Sequence, residues 1–272
     1  MKSFKGLGAA VFILAFLSVP AVSLAYDNSP SDHVIFPEVI WAAATGGGTW
    51  TTDIQFYTRN GTNPISYTVF LMPQGVTGYW GPFTMNGPDV QQLLLYPNFL
   101  SFVDSWDTNV SHVYYGKVGA IWIDTNGGAT ILAQAKTKHT GGYGKTFNGL
   151  NFSGQSNSAI YSPWRGLMIQ NVSSSSTERT SIGLFNASSY SITVRVALIW
   201  YNDSWLGYED ITLAGYQFLS FNPFTRFGVS GTYQVCRVWI DPIGGSGQCM
   251  AYGALANNTT NDPSALVATQ YN

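Results

Sequence analysis

The chain has 272 residues, of which 45% are hydrophobic and 10% are charged, and its formal net charge is -2. This hydrophobic content is enough to build a core and excludes a disordered chain, while the weakly acidic balance argues against nucleic acid or an anionic membrane as a partner. The many glycines and aromatic residues are typical of a secreted all-β protein rich in turns.

The first 25 residues have the parts of a secretory signal. Lys2 and Lys5 precede an apolar run from residue 7 to residue 17, and Ser23 and Ala25 are the small residues that signal peptidase requires. We therefore expect a signal peptide at 1–25 and a protein that is secreted to the extracellular space, or to the periplasm. The loss of the two lysines lowers the count of basic residues from 12 to 10 and the net charge from -2 to -4. No later segment approaches the roughly 20 apolar residues of a spanning helix, so we expect no transmembrane segment in the mature chain.

Short apolar segments separated by turn residues follow a flexible N-terminal segment predicted at 26–33. The strand that begins near residue 34 contains Pro37, which predicts an edge position or a bulge. Alternation in the next strand places Thr52, Ile54 and Phe56 on one face, and residues 65–72 are expected to be its hairpin partner. Two further short strands are predicted at 90–96 and 99–103.

The most informative segment is 118–133, VGAIWIDTNGGATILA, because it returns at 237–251 as RVWIDPIGGSGQCMA. Glycines at turn positions between apolar runs predict a β-hairpin in each copy. Three more segments recur in the same order: 179–186 repeats 51–58, 191–196 repeats 66–71, and 218–221 repeats 99–102. We therefore predict an all-β chain of two tandem antiparallel β-sandwich domains, at 34–147 and 159–272, with a polar linker at 148–158.

Together, the Thr-x-Ile strand, its Thr-Val partner and the Trp-Ile-Asp-x-x-Gly-Gly segment resemble tandem immunoglobulin-like repeats of secreted bacterial proteins with largely unassigned roles. The resemblance extends over most of the mature chain and implies an immunoglobulin-like sandwich outside the cytoplasm. It implies no catalytic residues. The cysteine pair and the long loop at 73–88 depart from the usual pattern.

Cys236 and Cys249 flank the second predicted hairpin. A four-residue loop at 241–244 would place them directly opposite each other, so in an oxidising compartment we expect a cross-strand disulfide, worth about 3 kcal/mol. A redox or metal pair is the alternative, which the absence of a nearby histidine in the sequence disfavours.

Catalytic and metal-binding signatures are sparse. His33, His112 and His139 are far apart in sequence and none has a ligand spacing, and the acidic clusters near residues 104 and 203 lack the pattern of a calcium loop. We therefore predict no enzyme activity, no metal and no cofactor.

Aromatic residues provide the candidate binding positions. Tyr79 and Trp80 lie in a loop of the first module, and Trp205 and Tyr208 lie in the corresponding loop of the second. Exposed rings there could stack on sugars, whereas rings that fold back would cover their own module or the contact between modules.

Strict alternation leaves Trp122 and Trp239 on a half-solvated face of their strands, where they would pack against a neighbouring module or form part of a contact surface.

These features favour a non-enzymatic structural, adhesion or binding protein of the cell surface or extracellular matrix, with a protein or glycan as its surface partner. The first alternative is a carbohydrate-binding protein that uses the four loop aromatics. A self-associating filament subunit and a hydrolase with converging carboxylates are further alternatives.

Overall fold

The computed structural model describes residues 32–44, 47–61, 65–87, 90–126, 129–151, 166–260 and 262–271. The predicted signal peptide, nearly all of the predicted N-terminal segment and most of the predicted linker lie outside these residues. Within them the chain is almost entirely β-structure, and neither helix has the length and apolar character that crossing a bilayer requires.

The elements of the first module are β1 (His33–Ala43), β2 (Thr49–Asn60), β3 (Ser66–Pro73), β4 (Trp80–Asn86), β5 (Leu93–Tyr96), α1 (Phe99–Asp104), β6 (Lys117–Thr125), β7 (Thr130–His139), β8 (Gly144–Asn148) and β9 (Leu150–Asn151). Those of the second module are β10 (Gly166–Ser174), β11 (Glu178–Asn186), β12 (Ile192–Ile199), β13 (Trp205–Leu213), β14 (Phe218–Phe221), α2 (Pro223–Arg226), β15 (Tyr233–Gly245), β16 (Cys249–Asn257) and β17 (Pro263–Tyr271). The first sheet continues to Asn151, so the start of the stretch predicted as linker belongs to β-structure.

Each module is one antiparallel sheet, and the two sheets share their strand order. The second runs β13-β12-β15-β10-β17-β16-β11-β14. In the first sheet, β4-β3-β6-β1 are neighbours in that order, β9 pairs with β1, β8 pairs with β7, and β2 pairs with β7 and β5. When β8 and β9 together are taken as the counterpart of β17, the first sheet runs β4-β3-β6-β1-(β9, β8)-β7-β2-β5. This is the same order as in the second sheet. The prediction of an all-β chain is therefore confirmed, and the shared strand order agrees with a chain built twice from one β module. The predicted domain bounds and the immunoglobulin-like assignment stay predictions.

Each sheet folds over its own apolar core, so that strands from both ends of the order face each other. In the first module, Phe36 and Ile121 from one half pack with Phe56 and Ile131 from the other. The predicted inner face of β2 is confirmed, because Thr52, Ile54 and Phe56 are all fully buried. We call the outer surface of β4-β3-β6-β1, and of β13-β12-β15-β10, the front face of its module. The outer surface of β5-β2-β7-β8, and of β14-β11-β16-β17, is the back face.

The predicted hairpins are wrong. Strand β6 pairs with β1 and β3, while β7 pairs with β2 and β8, so the chain passes from one half of the sandwich to the other between Thr125 and Thr130. The same holds for β15 and β16, and β3 likewise does not pair with β2. Each of these strands has one face in the shared core, and this alternation is equally compatible with an arch between layers and with a hairpin.

Residues 99–103 form helix α1 and not the predicted strand. Phe99, Leu100 and Val103 are its buried residues, a spacing that lies on one helical face. Its counterpart in the second module is α2, which Asn222 caps by accepting hydrogen bonds from the N–H groups of Phe224 and Thr225. The sequence Phe-Leu-Ser-Phe of α1 recurs at 218–221, but there it forms strand β14, which corresponds to β5 and not to α1. The match between 99–102 and 218–221 is therefore coincidental.

The predicted disulfide is absent. Cys236 and Cys249 are free and buried. The prediction placed them opposite each other across a hairpin, whereas β15 and β16 do not pair and lie in opposite layers of the sandwich. Burial raises the pKa of Cys236 to about 11 and that of Cys249 to about 12.

The bulge predicted at Pro37 is confirmed, and both modules stabilise it in the same way. The register of β1 against β6 shifts between Phe36 and Val39, and that of β10 against β15 shifts after Ile169. In each module, a buried threonine of the next strand accepts a hydrogen bond from a backbone N–H group beside the bulge. Ile40 N–H donates to Thr52 Oγ1 and Ser173 N–H donates to Thr180 Oγ1, both at 2.9 Å.

Replacement of Thr180 by valine is expected to lower the free energy of unfolding by about 1–3 kcal/mol, because the Ser173 N–H would remain buried without its acceptor. Urea denaturation measures the change. The control is Thr212→Val on the exposed surface of β13, which should change stability by less than about 0.5 kcal/mol. Equal effects of the two substitutions would contradict the role given to Thr180.

Thiol labelling tests the arrangement of the cysteines. At pH 8 the folded protein should resist iodoacetamide, because a raised thiol pKa leaves little thiolate and burial limits access. After unfolding without reductant, both cysteines should be alkylated, and mass spectrometry counts the adducts. An unfolded protein that takes up label only after reduction would contain the disulfide that this structure lacks.

Candidate functional site

The two modules contact each other along a surface that we call the seam, where the front face of the first module packs on the back face of the second. The seam is a third apolar cluster, separate from the two module cores. Its buried members are Ile35, Met72 and Ala120 from the first module and Phe185, Ala187, Phe218, Met250 and Tyr252 from the second.

A buried ion pair lies in this seam. Lys145 Nζ is 2.6 Å from Glu38 Oε1, and both side chains are less than one-tenth exposed. The ammonium lies 5.9 Å from the ring centroid of Tyr252, a residue of the second module. Burial and the negative charge of the neighbouring Glu38 carboxylate raise the pKa of Tyr252 well above its usual value. The pair and the tyrosine thus form one polar unit inside the apolar contact.

At one end of the seam, four aromatic rings surround a cavity of about 190 Å³. Phe70 and Tyr79 have ring centroids 5.1 Å apart, and Tyr79 and Tyr216 are 5.4 Å apart. Trp122 closes the ring at 6.2 Å from both Tyr216 and Phe70. Neighbouring planes are steeply inclined, at 53° to 85°, so the rings line the cavity without stacking on one another. The cavity is also lined by Met72 and Asp124.

The strand register explains how these residues meet. Phe70 on β3 is directly opposite Trp122 on β6, and both project from the front face because their neighbours Val69 and Ile123 are in the core. Tyr79 precedes β4 and is 44% exposed. Tyr216 comes from the second module, on a tight turn where its φ is +56° and its N–H donates to Ser188 O.

The carboxylate of Asp124 is the charged group at this cavity. Its Oδ1 is 2.6 Å from His33 Nδ1 and accepts a hydrogen bond from Trp122 Nε1. Asp32 Oδ2 lies 3.6 Å from the other ring nitrogen of His33. Even with His33 protonated, these two carboxylates leave the group with a net negative charge.

The front face of the second module carries the same positions without a covering module. Trp239 corresponds to Trp122, but Ala197 is opposite it where the first module has Phe70. Trp205 and Tyr208 are both more than half exposed, with ring centroids 5.9 Å apart, and Trp205 is 6.4 Å from Trp239. These three residues form an open aromatic surface.

Ion pairs border this aromatic surface. Arg195 binds Asp210 through two hydrogen bonds of 2.7 and 2.8 Å, and its guanidinium lies 5.2 Å from the ring of Tyr208. The hydrogen bond from Arg195 lowers the pKa of Asp210. Arg237, which is paired with Asp203, lies over Trp239. The open surface therefore combines aromatic faces with polar groups at its margin.

The back face of the first module corresponds to the surface that the second module buries in the seam, but here it is exposed. In the second module, Phe185 lies between Phe218 and Met250 and is buried. In the first module, Tyr57 lies between Leu93 and Leu132 at the same positions. Leu93 is 60% exposed, and Leu95 on the same strand and Leu132 are exposed as well. Three exposed leucines around a tyrosine form a patch of the kind that marks an interaction surface.

The structure separates the four predicted binding residues. Tyr79 lines the cavity, and Trp205 and Tyr208 lie on the open aromatic surface. Trp80 is 9% exposed and faces the core of its own module, as the folding-back alternative anticipated. The residue of the first module that corresponds to Trp205 is therefore Tyr79. The prediction that Trp122 packs against a neighbouring module is confirmed, since it packs against the seam cluster, although it was not predicted as a binding residue. Tyr216 was missed, because its contact is made across the seam and gives no local signal in the sequence.

Trp80 belongs to a cluster that packs the long loop before β6. Its ring stacks on His112 at 4.4 Å, and Asp107 Oδ2 binds His112 Nδ1 at 2.5 Å and the Tyr114 hydroxyl at 2.6 Å. Burial opposes the ionisation of Asp107, but hydrogen bonds from Tyr114, the Asn109 N–H and His112 outweigh it and keep its pKa below the usual value. Within the described residues, no group of three or more histidine, cysteine or acidic side chains could hold a metal ion.

Comparisons with known proteins add little to this geometry. No protein-family model matches the sequence, and no curated protein matches it. Two structures of a lectin from Pleurotus ostreatus, one in complex with GalNAc and one in the apo form, were found with TM-scores of 0.20 and 0.19 and identities of 11% and 10%. The alignments cover 90% and 91% of this chain and 83% and 82% of the lectin chains. Scores this low do not establish a common fold, so nothing of the lectin is transferred to this chain.

Removal of the buried lysine tests the polar unit of the seam. Lys145→Met should lower the free energy of unfolding by about 3–5 kcal/mol, because Glu38 would remain buried without its counter-charge. Urea denaturation of the full chain measures the loss. The double variant Glu38→Gln/Lys145→Met should recover most of it.

The matched control is Lys138→Met, which breaks an ion pair of the same 2.6 Å length with Asp53 on a lysine that is 43% exposed. This substitution should cost about 1 kcal/mol or less. A Lys145 variant no less stable than the Lys138 variant would show that Glu38 does not need its buried counter-charge.

Proposed function

We propose that the protein is an exported, non-enzymatic structural protein whose molecules associate head to tail through the same pair of faces that joins its two modules. The back face of the first module in one molecule binds the front face of the second module in the next. Such a contact joins two different surfaces, so it leaves one of each exposed and extends into a chain of molecules.

The observation that carries this proposal is the pattern of exposure on the repeated faces. The seam uses one front face and one back face, and the remaining front and back faces retain apolar side chains at the matching positions. Tyr57, Leu93 and Leu132 take the places of Phe185, Phe218 and Met250. Trp239 takes the place of Trp122, and Trp205 that of Tyr79.

The magnitude of the burial sets the expected strength. Burial of a fully exposed leucine or aromatic side chain contributes about 1.5–3 kcal/mol, and these side chains are already partly covered, so each contributes roughly 1 kcal/mol. Association itself costs at least about 4 kcal/mol. The seven apolar side chains on the two faces therefore leave a net of about 3 kcal/mol, and we expect a weak, reversible contact with a dissociation constant in the millimolar range, which matters where the protein is concentrated, as on a cell surface.

Single-face variants test the mode of association. Leu93→Asp disables the back face of the first module, and Trp205→Asp disables the front face of the second. Each variant alone should be monomeric by light scattering at concentrations where the wild type associates. A mixture of the two should form a 1:1 dimer, because each molecule still has the face that the other lacks.

Val110→Asp is the control, since Val110 is 98% exposed and lies outside both faces. This variant should associate as the wild type does. A wild type that remains monomeric at millimolar concentration would overturn the proposal, as would a mixture of the two face variants that contains only monomers.

The open aromatic surface supports a second candidate function, which is carbohydrate binding at Trp205 and Tyr208. Exposed rings bordered by the Arg195–Asp210 pair could stack on a sugar while polar groups bind its hydroxyls. The two functions separate by variant. Glycan binding would be lost in Trp205→Ala and kept in Leu93→Asp, whereas head-to-tail association requires both residues.

A further inference from the structure

We infer that the cavity in the seam is a binding site for a small alkylated ammonium cation, such as a quaternary ammonium group. The site comprises the four rings of Phe70, Tyr79, Trp122 and Tyr216, with the Asp124 carboxylate at its edge. It is separate from the two exposed faces and does not depend on association between molecules.

The arrangement of the rings is the first argument. Adjacent ring centroids are 5.1 to 6.2 Å apart around a closed circuit of four, so a cation inside would lie within about 6 Å of every ring. The π-faces of aromatic rings are negative, and several rings at that distance attract a cation together. A compact ammonium group with methyl substituents also fits an apolar wall, because it carries charge without a tightly held water shell.

The charge at the edge is the second argument. Asp124 is held by His33 and by Trp122, one of the cage rings, so its carboxylate is fixed beside the cavity. With Asp32 near His33, the local charge is negative in either protonation state of the histidine. An anion would be repelled here. A neutral sugar would find a single carboxylate among apolar walls, with Met72 as part of the lining.

The construction of the site gives it a third property, because Tyr216 reaches it from the second module. The ring contacts of Tyr216 with Tyr79 and Trp122 therefore exist only while the modules are docked. A bound cation would interact with both modules at once and would stabilise their contact.

The experiment measures choline chloride binding to the full-length mature protein by isothermal titration calorimetry. Its neutral comparator is 3,3-dimethylbutan-1-ol, which has the same shape with carbon in place of the charged nitrogen. Choline should bind the wild type, and the alcohol should bind roughly tenfold or more weakly. Tyr79→Ala and Asp124→Asn should each weaken choline binding by roughly 2- to 30-fold.

Tyr201→Ala is the matched control, because Tyr201 is exposed at 63% and lies outside the cavity. Its choline affinity should equal that of the wild type. Equal binding of choline and the neutral alcohol would overturn the inference without recourse to any variant. So would no binding of choline, tighter binding of a neutral monosaccharide than of choline, or unchanged affinity in the Asp124 variant.

Discussion

The contact between the front face of the first module and the back face of the second is the constraint on which the rest of the structure depends. Apolar side chains from both modules form its buried cluster, and the buried Glu38–Lys145 pair lies beside Tyr252, a member of that cluster. Such a pair is tolerated in an apolar setting only with good geometry, so it restricts how the modules can dock more than it strengthens the docking. The position of Tyr216, and with it the fourth wall of the cavity, follows from that docking.

Sequence reasoning reached the repeat, the β-class, the bulge at Pro37 and the inner face of β2, because each of these is a local pattern of alternation or turn residues. It failed on pairing. The Trp-Ile-Asp segments looked like hairpins, yet an arch between layers has the same alternation and the same glycines, and the predicted disulfide failed with them. The shared Phe-Leu-Ser-Phe was also misleading, since four residues fit a strand in β14 and one buried helical face in α1.

The alignment of the sequence repeat was wrong by two residues in β12. It paired Phe70 with Arg195, whereas the strand register shows that Ala197 occupies the position of Phe70. A shift of two residues keeps the same side chains facing outward.

The site could be predicted only in part for a related reason. Tyr79, Trp205 and Tyr208 were visible as aromatic residues in segments predicted to be corresponding loops. The loop prediction is wrong for Trp205 and Tyr208, which lie in strand β13, and for Trp80, which begins β4. Burial decides which rings are available, and Trp80 turns inward because its neighbour across the sheet is the core residue Leu71. Tyr216 has Gln91 as its counterpart: both have positive φ, at +56° and +64°, and both donate a backbone hydrogen bond to the preceding strand region. A contact between molecules would therefore place Gln91 and Ala197 where the seam has Tyr216 and Phe70. The aromatic cage is thus a property of the seam inside each molecule, whereas the apolar faces recur at both ends.

The dependence of average mass on protein concentration tests the central claim most directly. Sedimentation equilibrium of the wild type over a wide concentration range should show a mass that keeps rising beyond that of a dimer, because each added molecule exposes a fresh front or back face. A mass that levels off at twice that of the monomer would mean that the molecules pair through one self-complementary surface. A mass that stays at that of the monomer throughout would mean that the exposed faces do not repeat the contact made in the seam.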